Sequence, residues 1–409
     1  MVHGTRCTVH GARYTVRELF THDNMLHTNN LPCTVYRAPC TAPPNTIHLR
    51  KNLDIMQKEA LLGKTLQELQ SICTELSMPV FTGNQMADWL YKKKVKSIDE
   101  MTNISAANRE KLKEKYEIKA QAPVQYQCSK DGSIKYLFQT NQSYFIETVY
   151  IPEDERATLC VSSQIGCKMN CLFCMTGKQG FSGNLSANEI INQIQSIPES
   201  NKLTNLVFMG MGEPLDNTDE LFKVLEILTA SYGYGWSPKR ITVSTIGIIP
   251  NLKRFIEESN CHLAVSLHSP YEKERMKLMP VEKAYPAREI LDLIKKYDFA
   301  HQRRVSFEYI MFKGLNDDLQ HARDLAKLLA GIPCRVNLIR YHSIPDVDLK
   351  SSDEKAISTF RDYLNAKGII STIRASRGED ILAACGMLFH NKIWQIRKKT
   401  DSLSLSIKL

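Results

Sequence analysis

Three cysteines announce the clearest chemistry in the chain: Cys167, Cys171 and Cys174, within Gly166-Cys167-Lys168-Met169-Asn170-Cys171-Leu172-Phe173-Cys174. A C-x3-C-x2-C spacing in one short loop can wrap a corner of an iron–sulfur cubane. Four-iron clusters ordinarily take four protein thiolates, so three leave one iron with an open position. An open metal position can bind substrate, by the logic that separates catalytic from structural zinc. A structural zinc site would want four ligands in two pairs, and no second pair matches. The next cysteine, Cys261, stands alone at the edge of a predicted strand. The motif therefore predicts a [4Fe-4S] cluster held by Cys167, Cys171 and Cys174.

Other polar residues fall at the ends of predicted strands. Gly210-Met211-Gly212-Glu213-Pro214 superficially matches a dinucleotide loop. Leu215 replaces the third glycine and Pro214 interrupts the motif, so a nucleotide-cradling reading fails. A turn that offers backbone carbonyls and Glu213 to a cationic amino group fits better. Ser244, Ser266-Leu267-His268 and Asn337 bring hydroxyl, imidazole and amide groups suited to a ribose and a carboxylate. Three further residues carry less on their own. Cys160 lies on a predicted strand, where buried cysteine is common. Cys385 sits between small neighbours, and Glu147 lies in a β-rich stretch. Cys73, Cys128, Cys261 and Cys334 read as structural.

The elements that must position these residues alternate from Ala157 onward. Candidate strands are 158–162, 205–209, 240–245, 262–267, 305–311, 334–339 and 370–373. Amphipathic helices intervene at 187–197, 220–230, 250–258, 287–297 and 319–329. Such alternation builds a parallel sheet with right-handed crossovers. Six or seven units are too few to close an eight-fold barrel, so the fold class is α/β with a partial (β/α)6 barrel. Active sites in such sheets lie at the C-terminal ends of the strands, where most of the polar motifs fall. Before the barrel, 56–123 reads as a small helical accessory domain, opening with a helix over 58–76, and 124–156 as a β-hairpin extension. Residues 1–55 lack sustained periodicity and read as a disordered extension, and 386–409 as a basic tail.

Composition sets the outer limits. The 409 residues are 43% hydrophobic and 24% charged, enough for a large core. No run approaches the roughly 20 apolar residues of a membrane span. The start lacks the order of a secretory signal, so the expected compartment is the cytoplasm, with its 12 cysteines read as thiols, ligands or catalysts. The net charge of +9 is concentrated at the ends. Residues 1–55 carry six basic and three acidic groups, and 386–409 carry five and one. Lys92, Lys93, Lys94 and Lys96 follow Trp89 and Tyr91, a pattern that suits RNA backbone and base stacking as well as it suits an ordinary exposed helix end.

The cluster motif resembles the radical S-adenosylmethionine superfamily, in which the open iron chelates the amino and carboxylate groups of S-adenosylmethionine. The resemblance narrows with Glu147–Arg156, Leu159–Cys167, Thr176–Leu185, Met209–Pro214 and Arg377–Gly386, which are similar to the RlmN/Cfr family of RNA adenosine methyltransferases. Gln179-Gly180-Phe181 resembles the RlmN branch, which methylates carbon 2 of adenine; the Cfr branch, which methylates carbon 8, is the alternative. Arg340-Tyr341-His342 departs from the proline-containing segment expected after Asn337. A non-enzymatic iron–sulfur protein would not need Glu147, Cys160 and Cys385 together.

The family resemblance implies two S-adenosylmethionine molecules per turnover, one to methylate Cys385 and one to generate the radical that activates the S-methyl group. It implies Glu147 as general base and Cys160 as the thiolate that resolves the protein–RNA adduct, leaving a disulfide for reduction. Gly212, Glu213, Ser244, Ser266, Leu267, His268 and Asn337 become the cofactor-binding set. RNA, both 23S rRNA and tRNA, is the implied partner, with an electron donor such as a flavodoxin system.

Overall fold

The computed structural model describes residues 58–299, 305–384 and 386–388, and the backbone alone at 6–9 and 12–15. The chain divides into two units, Met1–Ile55 and Met56–Leu409. In the first, Arg6–Val9 pairs antiparallel with Ala12–Thr15. The remainder of the segment expected to be disordered lies outside the described residues, as does the basic tail beyond 388.

One ten-stranded sheet organises the second unit. Its strands are β1 Gln125–Cys128, β2 Ile134–Gln139, β3 Phe145–Pro152, β4 Ala157–Cys160, β5 Asn205–Phe208, β6 Ile241–Thr245, β7 His262–Ser266, β8 Val305–Met311, β9 Cys334–Arg340 and β10 Ile370–Ile373. They lie side by side in chain order. From β4 to β10 every neighbouring pair is parallel. The first three strands run antiparallel and join β4 through β3. Among the described residues no pairing closes β10 onto β1, so the barrel is open, with seven parallel strands. The segment expected as a hairpin contributes three strands that are continuous with the barrel sheet.

Helices cover the parallel strands because each presents an apolar face. In Ala287–Ile294 the buried residues Ala287, Ile290, Leu291 and Ile294 recur at helical spacing. Side-chain caps set several starts. Ser186 and Glu189 form a capping box on Ala187–Gln195, and Asp318 and Asp353 cap Leu319–Leu328 and Glu354–Ala366.

The accessory domain corrects one expectation. The helix begins at Leu66, where Thr65 and Glu68 form a capping box. Glu59–Ala60 instead pairs with Tyr116–Glu117, and the Leu61 and Leu62 amides continue that pairing to the carbonyls of Glu117 and Ile118. Leu61 and Leu62 are fully buried, but as part of a strand entry, which imitated helical spacing. A second correction concerns Tyr91. It is buried, with its hydroxyl donated to the Lys64 carbonyl, and offers no ring to a base. Lys94 donates to Asn201 Oδ1 at 2.6 Å, tying the helical domain to the barrel. Lys93 stacks 3.5 Å over Trp89. Of the cysteines read as structural, Cys73, Cys261 and Cys334 are buried, whereas Cys128 is exposed on the edge strand.

Candidate active site

The cluster loop leaves a short strand, Gln164–Gly166, that pairs antiparallel with Phe181–Asn184. The Cys167 amide donates to the Gly180 carbonyl, closing the loop's base. The Leu172 amide reaches the Leu278 carbonyl, and the Met175 amide reaches the Gly386 carbonyl. The loop is thus held from both sides before any metal is considered. Cys167, Cys171 and Cys174 all face one cleft, together with Gly212, Glu213, Ser244, Ser266 and His268. Burial pushes the Cys167 thiol up to about 12, and raises Cys171 and Cys174 as well. Such thiols would stay protonated unless a metal replaced the proton.

Among the described residues, no three His, Cys, Asp or Glu side chains gather closely enough for a single ion. A cubane corner does not require that, since each thiolate binds a different iron. The donor set therefore fits a cluster.

The Gly-Met-Gly-Glu turn, which follows β5, lies directly on the segment that leaves the neighbouring strand β4. A Cβ on Gly210 would sit 2.6 Å from the Val161 carbonyl, and one on Gly212, at φ +98°, would sit 2.5 Å from Gln164 Cβ. Only glycine allows that approach. Glu213 is buried, and burial pushes its carboxyl up to about 7. Its oxygens accept from Thr245 Oγ1 at 2.6 Å, from the Leu215 amide at 3.1 Å and from the Ile246 amide at 3.0 Å. The carboxylate therefore bolts the turn after β5 to the end of β6.

His268 has a left-handed backbone, φ 59°, and its Nδ1 accepts from the Ile310 amide at 3.1 Å. Its ring stands edge-on to Phe173 of the cluster loop, with centroids 4.8 Å apart. Burial, reinforced by the Arg275 charge, holds the imidazole down to about 3, so it is neutral and Nε2 carries the proton. Leu267 is buried, and its amide donates to the Glu308 carbonyl. Arg275 is fully buried; it pairs with Glu282 and donates to the carbonyls of Ile246 and Ser266.

A second cleft adjoins the first. Met209, Ile339 and Leu388 border both. Cys160 opens onto this second space, alongside Arg156, Arg335, Arg340, Arg374 and Arg377. Asn337 also faces it, one strand away from the thiol-lined cleft. Glu147 borders neither: it is buried on β3, 3.0 Å from Lys135 Nζ, and Lys135 in turn donates to the Leu382 carbonyl.

Cys385 lies outside the described residues. Its neighbour Ala384 lines the second cleft and Gly386 the first. Among the described residues no disulfide is present.

Sequence reasoning missed Glu308, which faces the first cleft from β8 and is 2% exposed. A lone carboxylate inside the apolar strand Val-Ser-Phe-Glu-Tyr-Ile-Met was the available signal, because buried acids are rare without a task.

Residues 161–326 match the family model of the radical SAM superfamily. Residues 60–118 match that of the ribosomal RNA large subunit methyltransferase N-terminal domain. The chain is 68% identical to a probable dual-specificity RNA methyltransferase RlmN of Parabacteroides distasonis, over 82% of this chain and 97% of that protein. It is 40% identical to the dual-specificity RNA methyltransferase RlmN of Marinobacter nauticus, over 81% and 93% of the two chains. Among solved structures it resembles a radical SAM methyltransferase from Sphaerobacter thermophilus. That chain is 37% identical with a TM-score of 0.76, the match covering 80% of this chain and 98% of the other.

Proposed function

The chain belongs to the RlmN family of radical S-adenosylmethionine methyltransferases, and from that membership we propose that it methylates carbon 2 of adenosine in RNA. Its substrates are the peptidyl-transferase-centre adenosine of 23S rRNA and the adenosine next to the tRNA anticodon. One observation carries the reading most directly. The thiol of Cys160 opens onto a cleft lined by arginines that shares a wall with the cleft of the three cluster thiols. A polyanion that enters the arginine side brings a base beside Cys160, within one wall of the radical source.

When bound, the cluster and S-adenosylmethionine supply a methyl group and, from a second molecule, a hydrogen-abstracting radical. The chain's own residues do the rest. Cys167, Cys171 and Cys174 hold the cluster and leave one iron open. Cys385 accepts the methyl group on sulfur and, once a hydrogen atom has been removed from that methyl, its methylene carbon forms the carbon–carbon bond to adenine; the unpaired electron this leaves on the ring would pass to a one-electron acceptor, a role the bound cluster would supply. The family resemblance assigns Glu147 the proton of carbon 2; its carboxylate lies 3.0 Å from Lys135 Nζ and borders neither cleft here, so the role rests on the resemblance and not on this geometry. Cys160 then attacks the Cys385 sulfur; the sulfur–carbon bond breaks, the departing methylene carbon takes up a proton to become the methyl group, and two electrons from a reductant such as a flavodoxin system reopen the disulfide left behind. The flipped or single-stranded adenine this needs fits an open barrel mouth.

Nucleoside mass spectrometry of 23S rRNA and tRNA, from cells with and without the gene, tests the proposal. The expected result is 2-methyladenosine that disappears with the gene. Gene-dependent 8-methyladenosine in its place would assign the chain the other regiochemistry.

A further inference from the structure

Four neighbouring strands place Ser266, Glu308, Asn337 and Thr372 in direct register, so their side chains form one row across the sheet. Within it, Thr372 Oγ1 donates to Asn337 Oδ1 at 2.9 Å, and Asn337 Nδ2 donates to Glu308 Oε1 at 2.7 Å. Ser306 adds a longer contact of 3.4 Å to the same Oε1. The other oxygen, Oε2, is buried and has no hydrogen-bond partner among the described residues. Glu308 lies on the wall of the cofactor cleft. A buried carboxylate oxygen left bare is costly, and neighbours that fix its rotamer make it a prepared acceptor rather than an accident of packing.

We infer that Glu308 is a cofactor-binding residue whose Oε2 accepts a hydrogen bond from a hydroxyl of the adenosyl ribose, with Asn337 and Thr372 as the residues that aim it. The inference rests on the reading of this cleft as the S-adenosylmethionine site. A ribose offers two hydroxyl donors on a stiff ring, which matches an acceptor held by two strands. The amino and carboxylate groups of the same molecule are committed to the open iron. The row also explains the position of Asn337: both ends of its amide are engaged by Glu308 and Thr372, so it acts on the cofactor through Glu308.

Equilibrium binding of S-adenosylmethionine and its 2′-deoxy and 3′-deoxy analogues to anaerobically reconstituted protein tests this, for the wild type and Glu308→Gln. The glutamine is isosteric and still accepts from Asn337. Its melting temperature and iron content confirm a folded, loaded protein. The wild type should bind one deoxy analogue at least about tenfold more weakly than the parent, as expected for a hydrogen bond to a charged group. Glu308→Gln should lose a similar factor for the parent and show little further loss with that analogue. Unchanged parent binding in Glu308→Gln, or penalties that simply multiply, would overturn the assignment, as would a wild type indifferent to both hydroxyls. A loaded wild type that fails to bind S-adenosylmethionine at all would instead sink the reading of the cleft, and this inference with it.

Discussion

Asn337 Nδ2 lies 2.7 Å from Glu308 Oε1, and this one hydrogen bond spans the wall between two clefts. Glu308 faces the cluster thiols, and Asn337 faces the arginines and Cys160. The bond depends on a neutral amide donor opposite a carboxylate.

Asn337→Asp should therefore set a half-buried carboxyl against the buried one of Glu308. One of them must hold a proton, which raises the pair's titration above the ordinary carboxylate range. A raised carboxyl keeps its proton in the folded state while the unfolded chain has lost it, so stability falls as pH rises above about 4.5. The variant's deficit in melting temperature relative to the wild type should be larger at pH 8 than at pH 5.5. A deficit that does not change with pH would show that the carboxylates avoid each other.

Changing any one of Cys167, Cys171 or Cys174 to Ala should abolish cluster binding. Reconstituted wild type should hold about four irons and show broad visible absorption, and each variant should lose both. Tight zinc without iron uptake in the wild type would contradict the donor-set argument.

Arg275 and Glu282 form a fully buried ion pair that also fastens the ends of β6 and β7. Arg275→Met leaves Glu282 charged without its partner and should cost about 3–5 kcal/mol. Arg275→Met/Glu282→Gln removes both charges and should recover much of that loss, since the Glu282 site still faces the Ala287 amide. Urea midpoints of the two variants decide it. Equal midpoints would mean that the desolvated carboxylate is not the source of the cost.

The barrel could be read in advance because strands buried on both faces are short apolar runs between amphipathic helices. The expected bounds 305–311 and 370–373 match β8 and β10 residue for residue. That Cys167, Cys171 and Cys174 share one loop, and so one cleft, was legible from their spacing. Residues 58–65 misled because Leu61, Leu62 and Leu66 mimic a helical stripe. The deciding signal was the Thr65–Glu68 capping box, which starts the helix at Leu66. Glu308 was hidden for another reason. Its role depends on register with Asn337 and Thr372, 29 and 35 residues apart along the chain in successive steps, and no local pattern encodes lateral alignment across strands. The Glu147–Lys135 pair was invisible in the same way, lying diagonally across β3 and β2.

His268 gives a pH test with a definite sign. Burial, and behind it the Arg275 charge, holds its folded-state pKa at about 3, against an ordinary value of 6.5. The unfolded chain therefore binds a proton between those limits that the native state refuses. Stability from this group is complete above about pH 6.5 and is lost as pH falls below it, at no more than about 1.4 kcal/mol per pH unit. His268→Gln removes that dependence. The melting-temperature advantage of the wild type over the variant should shrink between pH 7.5 and pH 5.5. A constant advantage would mean that the imidazole accepts its proton in the folded state.

The two thiols proposed as catalytic should fail in different ways. Cys385→Ala removes the methyl acceptor, so neither adduct nor product can form. Cys160→Ala leaves methylation, radical formation and carbon–carbon bond formation intact and removes only the thiolate that cleaves the adduct. The reaction should then stall with RNA bonded to Cys385. On a denaturing gel of protein purified from cells, Cys160→Ala alone should show an upshifted band that ribonuclease collapses. Cys160 opens onto the arginine-lined cleft, so its replacement by Ala removes a reactive group with little loss of packing. Folding should be near normal, which separates a chemical block from a collapsed core. Matching bands from the two folded variants, with no ribonuclease-sensitive species in either, would leave Cys160 as a packing residue and remove the resolving step from the mechanism.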